Sequence, residues 1–331
     1  MFNDGLRHLS RRRLLVRPVG VAAVALALSG CGPHGRLGAR VSDSWTHTYP
    51  LNKTGEVTIA NANGRIEVEG VEGSTLEVQA ERIASGATEQ LARELLPRIP
   101  IEEHATPDFV SIETRRLSGF MIGASYEVRY KVKIPRTATI RATTVNGFVF
   151  VTAMDGRVIA QTTNGGVLAT QISGGLEARS VNGGVRVQFA SLGSGSVELR
   201  TVNGGVHVAL PETAKATVSA NWVNGGINLS GLQFEVTEQA RRRFEGRLNG
   251  GGTSIELKTV NGGITLGTQL KDSSMPRRGW EDFPESLGRP DRPERPERPE
   301  RPDKLDKLDK LDKLDKFDLP AEKPESDRPV Q

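Results

Sequence analysis

One word recurs along this chain and limits what it can fold into. Val-Asn-Gly-Gly followed by a branched residue stands at 181–185, 202–206, 223–227 and 260–264, with close variants at 145–149 and 163–167. With the turn residue of each word as origin, Asn146, Asp155, Asn164, Ser173 and Asn182 come at intervals of nine. Ser194, Asn203, Lys215 and Asn224 then follow at twelve, nine, twelve and nine. The register reaches back to Thr137 and, after an insertion, forward to Gly252 and Asn261. Three residues after each of these twelve origins lies a branched apolar residue such as Ile140, Val158, Val185 or Ile264. Two further on comes Ala, Val or Leu, with polar residues such as Arg186, Glu198 and Lys258 between. This period of two marks strands with one buried face.

Asn-Gly is also the strongest short hairpin signal, so an antiparallel meander or sandwich is one way to use these strands. The other is a β-solenoid of about two strands per coil of 18–21 residues, each coil stacked on the one before it. The solenoid is expected, because an additional apolar residue precedes many turns: Val145, Met154, Ile172, Val181, Val202, Val223 and Val260. A corner bending around the core would let these point inside. The asparagines would stack on one edge. Asn146-Gly147, Asn164-Gly165, Asn182-Gly183, Asn203-Gly204, Asn224-Gly225 and Asn261-Gly262 are read as structural turns. There Asn tolerates the left-handed region and Gly reaches positive φ freely. The repeat domain is expected over 51–268, with insertions at about 81–125 and 231–248. Residues 87–99 and 236–244 read as short helices that cover exposed ends of the solenoid, and the outward Phe150 and Leu168 would lie under the first insertion or form a small contact site.

Both termini have a different character. Arg11, Arg12 and Arg13 precede a short apolar run that ends in Leu28-Ser29-Gly30-Cys31. This is a signal peptide over 1–30, too short to span a bilayer as a mature helix. Its last four residues resemble the bacterial lipobox, which implies acylation of Cys31 and, with Gly32 following, an exported, outer-membrane lipoprotein. Ser10-Arg11-Arg12-Arg13-Leu14-Leu15 fits twin-arginine export as well as the general route. Residues 31–50 read as a linker. From 269 to 331 a Pro-rich, charged tail is expected to be disordered, and from Arg289 onward 12 basic residues face 13 acidic ones.

The composition narrows the function. Aromatic residues are only 5% and the formal charge of +4 is small for 331 residues, with no one-signed stripe, so no nucleic-acid partner is expected. The single cysteine excludes an internal disulfide. His8, His34, His47, His104 and His207 lack metal-ligand spacing, no nucleophile or phosphate-loop motif occurs, and no cofactor, metal or catalytic residue is assigned. Glu177 and Glu198 form the one carboxylate pair that a glycosidase reading could use, but Arg179 and Arg200 share their face, as in a lattice of charge pairs.

Tyr126 to Leu266 resembles the bacterial putative-adhesin family of β-strand-repeat domains. The resemblance rests on YEVRYKVKIPRTATIRATTVNGFV, on the Gly-turn repeats and on LNGGGTSIELKTVNGGI. It implies a non-catalytic module, often exported or membrane-anchored, and brings no catalytic residues. The resulting expectation is a lipid-anchored envelope protein for adhesion or surface scaffolding, bound to the membrane through Cys31 and partnered by a cell-surface glycan or an envelope protein. The alternatives are a polysaccharide-active β-helix enzyme and an envelope-stress accessory docking through its tail.

Overall fold

The computed structural model describes residues 38–117 and 123–270. The expectations placed on the export signal, on Cys31 and on the tail from 271 onward therefore lie outside the described residues.

Alternating sequence becomes strand almost throughout. Before the repeats come β1 (Ala39–Pro50), β2 (Glu56–Asn63), β3 (Ile66–Val71) and β4 (Thr75–Gly86). A short helix α1 (Glu89–Leu95) with a 3-10 turn (Leu96–Arg98) leads on to β5 (Ile101–Ala105), β6 (Phe109–Thr114) and β7 (Ala124–Pro135). Thr88 starts the helix, its hydroxyl accepting from the Leu91 amide, which satisfies one of the orphan donors of the first turn. Residues 39–50 are not the linker expected. They pair with β4 along their whole length, and Val41, Asp43, Trp45, His47 and Tyr49 form the more buried face. The polar Asp and His on that face disguised the strand.

The repeats supply strand pairs. These are β8 (Thr139–Asn146) with β9 (Val149–Thr152), β10 (Val158–Asn164) with β11 (Val167–Ile172), and β12 (Leu176–Asn182) with β13 (Val185–Phe189). They continue with β14 (Val197–Asn203) and β15 (Val206–Ala209), then β16 (Ala216–Asn224) and β17 (Ile227–Ser230). A hairpin of β18 (Phe234–Ala240) and β19 (Arg243–Leu248) precedes the last pair, β20 (Thr253–Asn261) and β21 (Ile264–Gly267). The first strand of each pair joins an 11-stranded sheet and the second a 10-stranded sheet. Within the stack the pairing is parallel and in register, with Ile140, Val158, Leu176, Val197 and Ile255 opposite one another in turn. Parallel pairing is the mark of a solenoid, since a meander would set successive strands antiparallel. The inward Val158, Ala160, Val185, Val187, Leu199 and Ile255 are buried, each Val, Leu or Ile contributing about 1.5–3 kcal/mol before entropy is counted.

Three expectations are corrected. Residues 236–244 form parts of β18 and β19, not a helix. Val236, Ala240 and Phe244 mimic a helical stripe, but β16 offers a sheet edge, and antiparallel pairing with β19 overrides local propensity. Coil order also departs from chain order. The sheet runs β19-β16-β20-β14, so the final coil lies between the two that precede it. With β19 on the outer edge of β16, only the inner edge is left for β20. Lastly, α1 packs on β1, β4 and β7, and β3 separates those strands from Phe150 on β9. Leu168 is buried beside its register neighbours Phe150 and Arg186 instead of under a helix.

Candidate functional site: the asparagine edge and its groove

The Val-Asn-Gly words gather on one edge of the stack. In each coil the first strand ends at the asparagine and the second begins three residues later, so the turns superpose. Their side chains form a continuous ladder. Asn146 donates to Asn63, Asn164 to Asn146, Asn182 to Asn164, Asn203 to Asn182, Asn261 to Asn203 and Asn224 to Asn261, each from Nδ2 to Oδ1 at 2.7–2.8 Å. The backbone runs the other way: the amides of Gly147, Gly165, Gly183, Gly204 and Gly262 donate to the asparagine carbonyl of the next coil. Neutral bonds of this kind contribute about 0.5–1.5 kcal/mol each.

The glycines are required by clearance. A Cβ on Gly165, Gly183 or Gly262 would lie 1.9 Å from the carbonyl oxygen of the glycine beneath, and Gly147 and Gly204 would meet theirs at 2.2 Å. Gly147, Gly165, Gly183, Gly225 and Gly262 also have φ between +150° and +159°. The asparagines, however, do not take up the left-handed conformation expected of them; among the described residues the non-glycine residues with positive φ are Ala153, Gln171 and Asn249. Asn is selected here for its side chain, which has both a donor and an acceptor at the same height. Two residues before the asparagine a buried hydroxyl completes the corner in five coils, while Asn61 and Trp222 hold that place in the other two. Thr144, Thr162, Ser180, Thr201 and Thr259 donate to the carbonyls of Gly64, Gly147, Gly165, Gly183 and Gly204.

Because those hydroxyls occupy the inward positions, the next residue must face out. Val181, Val202, Val223 and Val260 are 39–46% exposed, contrary to the inward placement expected, whereas Met154 and Ile172 on the opposite edge are buried. The valines form a ridge along the coil axis. Parallel to it, on the other side of the hydroxyl row, run Thr143, Gln161, Arg179, Arg200, Lys258 and Asn221. Between the two rows lies an open groove of about 690 Å³, with Trp222 and Arg242 at one end.

Glu177 and Glu198 are opposite each other on β12 and β14, as their spacing implied. Glu177 pairs with Arg179 at 3.1 Å and Arg157 at 3.9 Å, and Glu198 with Arg200 at 2.6 Å and Arg179 at 2.9 Å. The lattice continues through Arg200 and Glu256 to Lys258, and the hydrogen bond from Lys258 holds the Glu256 carboxyl below its ordinary pKa. The depression at the Glu177–Glu198 pair measures about 150 Å³, well under the roughly 300 Å³ at which ligand pockets begin.

One cluster was not anticipated. On β1 and β5, Glu103 accepts from Tyr49, lies 2.7 Å from Nδ1 of His47, and Trp45 stacks on His47 at 4.2 Å. Burial, followed by the Glu103 hydrogen bond, pushes the Tyr49 hydroxyl above its ordinary pKa. The group ties the last strands of the two sheets together at the end closed by α1. The alternation Trp45-x-His47-x-Tyr49 was its only trace in the sequence. Among the described residues no group of His, Cys, Asp and Glu could hold a metal ion, and no helix is long and apolar enough to cross a membrane.

Residues 131–267 match the Toastrack DUF4097 family, so the adhesin-like β-strand-repeat resemblance holds over the coils from β8 to β21. A comparison with curated proteins finds no match. Among solved structures, a putative cell adhesion protein from Clostridium sporogenes ATCC 15579 is similar at 13% identity and a TM-score of 0.43, over 68% of this chain and 99% of that one. A putative adhesin from Bacteroides fragilis NCTC 9343 is similar at 9% identity and a TM-score of 0.31, over 68% and 96%.

Proposed function

We propose that this chain is a non-catalytic, lipid-anchored protein of the bacterial cell envelope whose solenoid serves as an adhesion or surface-scaffold module. The observation that carries the reading is the outer face of the 11-stranded sheet. There the carboxylates that acid–base chemistry would need are taken up in ion pairs, while the valine ridge and its groove stand open. Cys31, at the end of the lipobox-like sequence, supplies the anchor and an outer-membrane address.

Two measurements on the full chain test this. In cells, Cys31→Ala is expected to abolish palmitate labelling and move the protein out of the membrane fraction; equal labelling of both forms would remove the anchor from the proposal. In vitro, the chain is expected to be retained on whole cells or wall fragments without releasing reducing ends. Reducing ends that appear with the wild type and vanish with Glu177→Gln or Glu198→Gln would instead establish an enzyme.

A further inference from the structure

We propose that the groove beside the valine ridge binds a linear, carboxylate-bearing polysaccharide laid along the coil axis, one sugar to each coil. This rests on the reading of the chain as a surface-binding module and names the ligand class.

Charge selects an anion. Arg179, Arg200, Lys258 and Arg242 line the groove, and no carboxylate does; Glu177, Glu198 and Glu256 sit on the far side of the cation row. The side chains of Arg179, Arg200 and Lys258 are 39–45% exposed, so they keep donors free to meet a ligand while paired behind. A guanidinium holds five N–H groups, more than the flanking glutamates use.

Spacing selects the polymer. Arg179, Arg200 and Lys258 are opposite one another on β12, β14 and β20, as are Val181, Val202 and Val260 two residues on. A ligand running across these strands meets one cation and one valine at every strand spacing, about 4.8 Å. An extended peptide advances only about 3.3 Å per residue and a polyproline helix about 3.1 Å, so neither keeps one residue to each coil. An α-helix, about 10 Å across, is too wide to enter a trough bounded by residues two apart on one strand, about 7 Å. Each sugar of an extended, linear 1,4-linked polyuronide such as a galacturonan advances by close to one strand spacing, so successive sugars meet successive coils. Their C–H faces suit the valines, their carboxylates the cation row, and their hydroxyls the side chains of Thr143, Gln161 and Thr163.

The test uses the full chain on columns of polygalacturonate, neutral dextran and poly-L-glutamate. Retention is expected on polygalacturonate at low salt, fading as salt screens the cation row, with none on dextran and little on poly-L-glutamate. Arg200→Gln combined with Lys258→Gln is expected to weaken retention at least about tenfold. Arg200→Lys is expected to restore part of it, and Val202→Asp to weaken it without unfolding an exposed site. Lys133→Gln, on the other sheet, serves as the control and is expected to change nothing. Equal retention on poly-L-glutamate, indifference to the groove variants, or failure to bind polygalacturonate would each overturn the proposal. Retention on wall fragments without retention on polygalacturonate would do so while leaving the surface-binding reading intact.

Discussion

The two edges of the coil stack solve the same turning problem in opposite ways. On the asparagine edge every turn is the same: two residues separate Asn146 from Val149, Asn182 from Val185 and Asn261 from Ile264, and side chains and backbone are laddered throughout. On the other edge the turn changes from coil to coil. Ala153 and Gln171 turn there with φ of 60° and 56°, and the linker from β13 to β14 grows to 190–196. The hairpin β18–β19 leaves from the same edge, as does the whole segment from β3 to β8. Every variation in coil length thus enters where there is no asparagine ladder to interrupt, although backbone bonds such as Ser173 to Met154 still join the coils there. A stack of parallel strands needs its register fixed only once per coil, and one edge suffices for that.

Length changes should separate the edges most. Two glycines inserted between Gly183 and Gly184 would break the ladder and shift the register, and the chain is expected to lose more than about 4 kcal/mol, a large fraction of a typical folding stability. The same insertion after Leu192 lengthens a loop and is expected to lose less than about 1 kcal/mol by urea denaturation. A methyl group is the next test: Gly165→Ala, 1.9 Å from the Gly147 oxygen, is expected to lose about 3 kcal/mol or more, and Gly175→Ala, whose Cβ would come no closer than 3.4 Å, under about 1 kcal/mol. Within the ladder, Asn203→Ala removes two amide bonds and Asn224→Ala one. Losses of about 2 and 1 kcal/mol are expected, and equal losses would mean the amides act singly. The smallest effect should be a gain. Gln171→Gly relieves a left-handed residue and is expected to raise stability by up to about 1 kcal/mol, while glycine at Asn164 lowers it.

What the sequence disclosed follows the same division. The turns of the asparagine edge were legible, because each Val-Asn-Gly-Gly word carries its own turn and sets the phase of the strands on either side, but the part played by the asparagine side chains was not. Phase alone also contained the outward valines: with Val197, Leu199 and Thr201 inward, Val202 must face out, and only the assumption of a tighter corner reversed it. Coil order was not legible. Asn224 and Asn261 sit in identical words, and nothing local says which is terminal; that is decided by the hairpin between them. The groove was hidden for a related reason, since it is made of residues from six strands that look unremarkable in any one repeat.

The position of the β20–β21 coil has a kinetic consequence. Repeat arrays ordinarily grow from a nucleus, each unit docking on a finished neighbour at little loop-closure entropy. Here β16 and β17 are made before the coil that must lie between them and β14–β15, so they cannot take their final neighbours until the chain has reached Gly267. The earlier coils can consolidate as they emerge, but the last two and the hairpin must close together as one cooperative unit of higher contact order. A chain ending shortly after Leu248 would lack an internal layer of the stack, not its outermost one, and would leave the exposed edges of β14 and β16 facing each other across the gap.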